Sequence, residues 1–218
     1  MRFAAVIFDL DGTLLDSLEE LADAVNVVLA AAGMPTHPAA AFRGFVGNGV
    51  VNLVRRAAPA GLSDVQLRDL VLAGRAEYGR RWDAKSRPYP GIPEMLDALA
   101  RAGLPLAMLS NKPDDFTRRI AERFFAAWPL NPARGAREGM PLKPDPTAAL
   151  AVAQELGFAP GEILFAGDSD VDVRTAKNAG MFAAGVLWGF RGADELIAAG
   201  ADRLFASPDE LARFALGG

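Results

Sequence analysis

The sequence contains no cysteine, which removes disulfides and thiolate metal sites and points to a reducing compartment. Its one histidine, His37, lies between Thr36 and Pro38, a loop setting that reads as exposed rather than catalytic. Basic residues are outnumbered, 23 Lys and Arg against 27 Asp and Glu for a net charge of −4, and aromatics make up 8%. Such a chain has no cationic surplus to neutralise phosphates along a duplex or a single strand, which argues against general nucleic-acid binding. Long apolar runs are missing too. The longest lie around Val25–Met34 and Gly180–Phe190, short of the roughly 20 residues that span a bilayer. Residues 1–8 carry no small-residue cleavage site and meet an acid at Asp9, so they read as a buried strand and not as a secretory signal; the expected address is the cytoplasm. With 22 Gly and 15 Pro, the chain also falls below the content that signals disorder.

What is present is 218 residues with 51% hydrophobic content. That is enough for one large domain, or for one domain carrying a smaller one. Phe3–Phe8 is a continuous apolar run, the pattern of a strand buried on both faces of a parallel sheet. Similar runs recur at Leu104–Leu109, Ile163–Ala166, Met181–Leu187 and Arg203–Ala206. Helical segments separate most of them: Glu94–Ala102 stops at Gly103, Thr147–Leu156 stops at Gly157, and Ser207-Pro208-Asp209-Glu210 is a helix start. Alternation of this kind predicts an α/β fold around a parallel sheet. Residues 16–85 break it with helix signals alone. Ser17-Leu18-Glu19-Glu20 and Ser63-Asp64-Val65-Gln66 have capping-box spacing, an apolar stripe follows from Leu18 to Ala32, and Phe45–Ala58 reads as a further helix. These residues form a predicted helical insertion. The predicted core comprises 1–15 and 86–218. Within it, Ala126–Pro141 holds three prolines and two glycines and reads as irregular loop.

Four clusters carry chemistry, and each is expected just after a predicted strand. Asp9 and Asp11 stand two apart where the chain turns at Gly12, a spacing that can send both carboxylates toward one pocket as nucleophile and acid/base, or can simply be a polar strand exit. Ser110 and Asn111 offer a hydroxyl and an amide to phosphate oxygens, or form a turn before Pro113. Lys143 precedes Pro144-Asp145-Pro146, whose stiff backbone can fix it; the alternative is a solvated lysine. Asp168 and Asp172, four apart, share one face of a helical turn. Two convergent carboxylates with no thiolate nearby favour a hard cation such as Mg²⁺, although acids also favour helix N-termini for capping.

In this order, Asp-Leu-Asp-Gly-Thr, Ser-Asn-Lys, Lys-Pro-Asp-Pro and Gly-Asp-Ser-Asp-Val-Asp, the motifs resemble the haloacid dehalogenase-like superfamily over nearly the whole chain. The resemblance implies a Rossmann-like parallel sheet core with an inserted helical cap domain after the first strand. Phe45-Val46-Gly47-Asn48-Gly49-Val50 and Pro88-Tyr89-Pro90-Gly91 are similar to phosphoglycolate phosphatases. By that resemblance Asp9 is the nucleophile that forms an aspartyl-phosphate, and Asp11 is the acid/base. Mg²⁺ is held by the Asp9 carboxylate, the Asp11 carbonyl and Asp168, with Asp172 acting through water or by orienting Lys143. Ser110 and nearby backbone N–H groups hold the phosphoryl oxygens and Lys143 neutralises charge, while Asn111 of the core and Asn48 and Gly49 of the cap are further expected substrate contacts. The family also shows a short strand between the Ser110 and Lys143 motifs, which the Pro- and Gly-rich stretch here does not display. The expected activity is therefore a Mg²⁺-dependent phosphatase acting on a small phosphorylated substrate, 2-phosphoglycolate first. A pyrophosphatase and a sugar-phosphate phosphatase or mutase share these core motifs. The presence of Asp11 argues against a dehalogenase, and Asp9 with Asp11 argues against a non-catalytic phosphate-binding module.

Overall fold

Six strands pair in parallel in a single sheet. They are β1 (Ala5–Phe8), β4 (Leu106–Pro113), β5 (Leu130–Ala136), β6 (Ile163–Gly167), β7 (Phe182–Val186) and β8 (Arg203–Phe205). Two short strands, β2 (Leu15–Asp16) and β3 (Arg87–Pro88), form a separate two-stranded sheet. The structure, a computed structural model, describes residues 2–218. The helices are α1 (Leu18–Ala31), α2 (Val50–Ala57), α3 (Asp64–Arg81), α4 (Ile92–Arg101), α5 (Asp114–Phe124), α6 (Thr147–Leu156), α7 (Asp170–Ala179), α8 (Ala193–Ala198) and α9 (Pro208–Leu216). The chain divides into two compact units, Met1–Leu15 with Pro88–Gly218, and Asp16–Arg87.

The first unit is a Rossmann-like α/β core. From β1 the chain runs outward through β4 to β5, then returns to the other side of β1 through β6, β7 and β8. The order reverses at β1, and open α/β sheets bind ligands beyond the strand carboxyl ends at such a switch point. Continuous apolar strands explain the sheet's place in the middle: all four residues of β1 are fully buried, and burying a side chain such as Ile7 or Phe8 contributes about 1.5–3 kcal/mol. On one face Ile7 and Phe165 pack against Val152 of α6 and Ala176 of α7. Elsewhere Phe182 and Phe205 meet Phe214 of α9 at ring separations of 5.4 and 5.2 Å, and the Arg2 guanidinium covers the Phe214 ring.

Two expectations change in this unit. Leu130–Ala136, read as loop, is strand β5, paired with β4 through two register shifts. Pro132 explains both the misreading and the outcome: proline cannot donate to a ladder, so strands tolerate it at sheet edges, and β5 is an edge. In addition β4 continues to Pro113, so Ser110, Asn111 and Lys112 belong to the strand itself and not to a turn after it.

The second unit is helical. The Ser63–Gln66 capping box forms, with Ser63 Oγ accepting from the Gln66 amide at 3.2 Å. The one expected at Ser17 does not. Glu20 is instead buried and accepts from the Lys85 amide at 2.6 Å, tying the end of the insertion to its first helix. The helix expected over Phe45–Ala58 begins only at Val50, because Gly47 and Gly49 both adopt positive φ. His37 is half-buried and not exposed. Its Nε2 lies 2.7 Å from the Ala57 carbonyl, its ring meets Phe42 and Phe45 edge-on, and Asn26 brackets its backbone.

Candidate active site

The chain leaves β1 at Asp9, whose amide still donates to the Ala166 carbonyl of β6 at 2.9 Å. It then turns tightly, the Leu10 carbonyl accepting from the amides of Thr13, Leu14 and Leu15. Gly12 sits at φ +94°, and a Cβ there would overlap the Asp168 carboxylate. Gly189, in the segment after β7, would strike Asp168 and the Gly12 carbonyl in the same way. Backbone approach this close requires glycine on both sides of Asp168.

Asp168 leaves the end of β6. Its Oδ1 accepts from the Thr13 hydroxyl at 3.2 Å and its Oδ2 from the Phe190 amide at 2.7 Å. Trp188 Nε1 donates to the Thr13 carbonyl at 2.9 Å and secures that segment. Four residues on, Asp172 completes a capping box at the start of α7: its Oδ2 accepts from the Ser169 hydroxyl at 2.6 Å and the Ser169 amide at 3.2 Å. The other oxygen, Oδ1, faces Lys143 Nζ at 2.6 Å. Lys143 spends its remaining donors on Asp9 Oδ1 at 2.7 Å and the Leu109 carbonyl at 3.1 Å. Its backbone is held by Asn111, which accepts from the Lys143 amide at 2.8 Å and donates to its carbonyl at 2.9 Å. Both ends of the Asn111 side chain thus serve Lys143. Ser110 Oγ accepts from the Lys112 amide at 3.3 Å.

The structure therefore brings together Asp9, Asp168, Asp172, Lys143, Asn111 and Ser110 at the ends of β1, β4 and β6. Oxygens of Asp9, Asp168 and Asp172 lie within 4.8 Å of one another, all three residues buried. Asp11 belongs to a neighbouring pair: Lys112 Nζ donates to both of its carboxylate oxygens at 2.9 Å. Asn48 and Gly49 lie in the helical unit, in the turn before α2, where Asn48 Oδ1 accepts from Arg56 at 2.6 Å. Asp170 pairs with Arg174 along α7. Sequence reasoning left Lys112, Thr13, Ser169 and the Phe190 amide without roles. Thr13 and Lys112 carried a signal, since each stands inside a chemistry-bearing motif. The Phe190 amide carried none.

Three buried carboxylates face one ammonium here. Burial first, then the charge of Asp172, raise the Asp9 carboxyl, and Lys143 only partly offsets them, leaving it at about 7. Asp168 is raised well above the usual carboxylate range by burial and by its neighbours Asp172 and Asp9. Burial works against the Lys143 ammonium, but Asp172 and Asp9 outweigh it and hold the proton firmly. A cluster of hard oxygen donors with uncompensated negative charge fits a divalent cation.

A family model described as haloacid dehalogenase-like hydrolase matches residues 3–180. The chain belongs to this family. This haloacid dehalogenase-like hydrolase is 36% identical over 193 residues to a phosphoglycolate phosphatase of Pseudomonas putida, spanning 85% of this chain and 70% of the relative. It is 32% identical over 212 residues to an N-acetylmuramic acid 6-phosphate phosphatase of Pseudomonas aeruginosa, spanning 97% and 94%. A crystal structure from Lactobacillus delbrueckii subsp. bulgaricus, provisionally assigned as a phosphoglycolate phosphatase, superimposes over all of both chains with a TM-score of 0.94 at 27% identity. The protein is a phosphoric monoester hydrolase of this family. Among the described residues, no helix is long and apolar enough to cross a membrane.

Proposed function

We propose that the protein is a Mg²⁺-dependent phosphatase that hydrolyses 2-phosphoglycolate through an aspartyl-phosphate on Asp9, in the cytoplasm. One observation carries the chemistry: the Asp9 carboxylate is buried at a strand end and aimed by Lys143, beside two further acids. Asp9, Asp168 and the Asp11 carbonyl would hold Mg²⁺, with Asp172 acting through water or by orienting Lys143, and the ion would supply the positive charge that lets a phosphate dianion approach these acids. The chain's own residues do the rest. Asp9 attacks phosphorus as the ester bond to the leaving oxygen breaks, and Asp11 gives that oxygen a proton. Asp11 then takes a proton from water as the water attacks phosphorus and frees Asp9. Lys143 holds the Asp9 carboxylate in line and neutralises charge on the phosphoryl oxygens, which Ser110 also contacts. Phosphoryl transfer asks chiefly for such positioning and charge neutralisation. The helical insertion serves as the cap, with Asn48 and Gly49 contributing to substrate selection.

A sugar-phosphate substrate is the second reading, favoured by the nearly end-to-end match to N-acetylmuramic acid 6-phosphate phosphatase. Phosphate release from 2-phosphoglycolate, N-acetylmuramic acid 6-phosphate, pyrophosphate and an aryl phosphate, with Mg²⁺ and with chelator, separates the two. Metal-dependent turnover much faster on 2-phosphoglycolate is expected. Preference for the sugar phosphate would keep the aspartate chemistry and replace the substrate, and inactivity toward all four would overturn both substrate readings.

A further inference from the structure

Lys112, the partner of Asp11, has no part of its own in the chemistry derived above. Lys112 Nζ lies 2.9 Å from each Asp11 oxygen, and the two side chains retain only 4% and 11% of their exposure. The root of Lys112 is fixed. Its amide donates to Ser110 Oγ, its carbonyl accepts from the Thr117 hydroxyl at 3.2 Å, and Gly135 packs so close to that carbonyl that a Cβ would stand 2.5 Å from it. A long side chain on a rigid root thus delivers a second buried cation to this end of the sheet.

We propose that Lys112 is a specificity-determining residue that binds an anionic group on the substrate's leaving alcohol, one carbon away from the ester oxygen. The proposal rests on the assignment of Asp11 as the acid that protonates the leaving oxygen. An acid in that role stands about 2.6–3.2 Å from the leaving oxygen, which puts Lys112 Nζ within about 6 Å of it. In an α-carboxylate ester the carboxylate oxygens lie about 3 Å from the ester oxygen by ordinary bond lengths. A charge-assisted hydrogen bond of about 2.8 Å covers the rest of the distance. A neutral alkyl alcohol offers Lys112 nothing, and a 6-phosphorylated sugar has no anion at the adjacent carbon. The chemical class selected is therefore the phosphate ester of a small 2-hydroxy acid.

The test compares kcat/KM for 2-phosphoglycolate with that for ethyl phosphate, which has a neutral leaving group of similar size, in the wild type, Lys112→Met and Lys112→Arg, all with Mg²⁺. Both substrates suffer when Asp11 loses its partner, so the ratio is the readout. The ratio is expected to fall at least about tenfold in Lys112→Met and to be partly kept in Lys112→Arg. Calorimetric binding in an Asp9→Asn background is expected to show the same loss of preference for 2-phosphoglycolate without turnover. A parallel fall for both substrates would make Lys112 a positioning residue for Asp11 and overturn the proposal, as would an unchanged ratio. A wild type that hydrolyses both esters without preferring the anionic one defeats this inference alone. A wild type that hydrolyses no monoester defeats the phosphatase reading along with it.

Discussion

Lys143 Nζ stands 2.6 Å from Asp172 Oδ1, and neither side chain keeps more than 3% of its surface exposed. The other Asp172 oxygen is held by Ser169, so the carboxylate is fixed and the ammonium is aimed at Asp9. Breaking a buried pair from one side leaves an uncompensated charge, at a cost of about 3–5 kcal/mol. Lys143→Met is therefore expected to lose about that much stability in urea melts. It is also expected to lose at least about 10²-fold in kcat, comparable to removing a preorganised charge partner. Unchanged kinetics would take Lys143 out of the chemistry.

Asn111 presents a different case, because its partner is backbone. Asn111→Ala strips the Lys143 amide and carbonyl of bonds at 2.8 and 2.9 Å, and each buried orphan costs about 1–3 kcal/mol. Stability and kcat are expected to fall together, with KM little moved, and Asn111→Asp should fall between, since it keeps an acceptor for the Lys143 amide. A rise in KM at unchanged stability would instead mark Asn111 as a direct substrate contact.

These residues also show what the sequence can and cannot disclose. Thr147–Leu156 is legible to the residue as α6, because a stiff Pro precedes it and Gly157 ends it at positive φ. Asp9 and Asp168 are legible because each follows an unbroken apolar strand, and Asp172 because it stands four residues after Asp168. Partners set by distant chain are not. Asn111 meets Lys143 across 32 residues of separation and Glu20 meets Lys85 across 65. Local propensity pairs Glu20 with Ser17 and offers Asn111 either a phosphate oxygen or a turn, with no sign of the Lys143 backbone. The edge position that makes Pro132 tolerable in β5 is likewise a property of the assembled sheet. Lys112 stands inside the Ser-Asn-Lys motif, but only the fold shows it buried against Asp11.

The glycines around Asp168 give a prediction that isolates the metal. Gly12→Ala adds a Cβ where the Asp168 carboxylate lies and must also hold φ +94°, and Gly189→Ala adds one against Asp168 from the other side. Strain at such sites is typically worth about 1–3 kcal/mol. Both variants are expected to need at least about tenfold more Mg²⁺ for half-maximal activity, because Asp168 must move. A Mg²⁺ requirement equal to wild type, in a folded variant, would mean that Asp168 is not a ligand.

The charge balance of the buried acids sets the pH dependence of metal binding. Asp9 titrates at about 7 in the folded protein without metal, against about 3.9 in an unfolded chain. Between those values the native state binds the extra proton, so this group's contribution to stability is present at low pH and is lost as pH rises through about 7. Asp168, also raised, adds in the same sense. Carboxylates held low elsewhere, such as Asp114 and Asp202, act oppositely near pH 4 and obscure the total. The difference between protein with Mg²⁺ and with chelator removes them, because under the proposed function only the cluster would touch the metal. Ligation requires these carboxylates deprotonated, so the metal competes with protons. At a Mg²⁺ concentration of about 100 Kd the stabilisation is about 2.7 kcal/mol, or about 5–10 °C in Tm for a chain of this size. That shift is expected above pH 7.5 and should shrink toward zero near pH 5. In Asp168→Asn it should be small at every pH. A Mg²⁺-induced shift that stays constant from pH 5 to 8 would show that the ion binds somewhere other than among Asp9, Asp168 and Asp172.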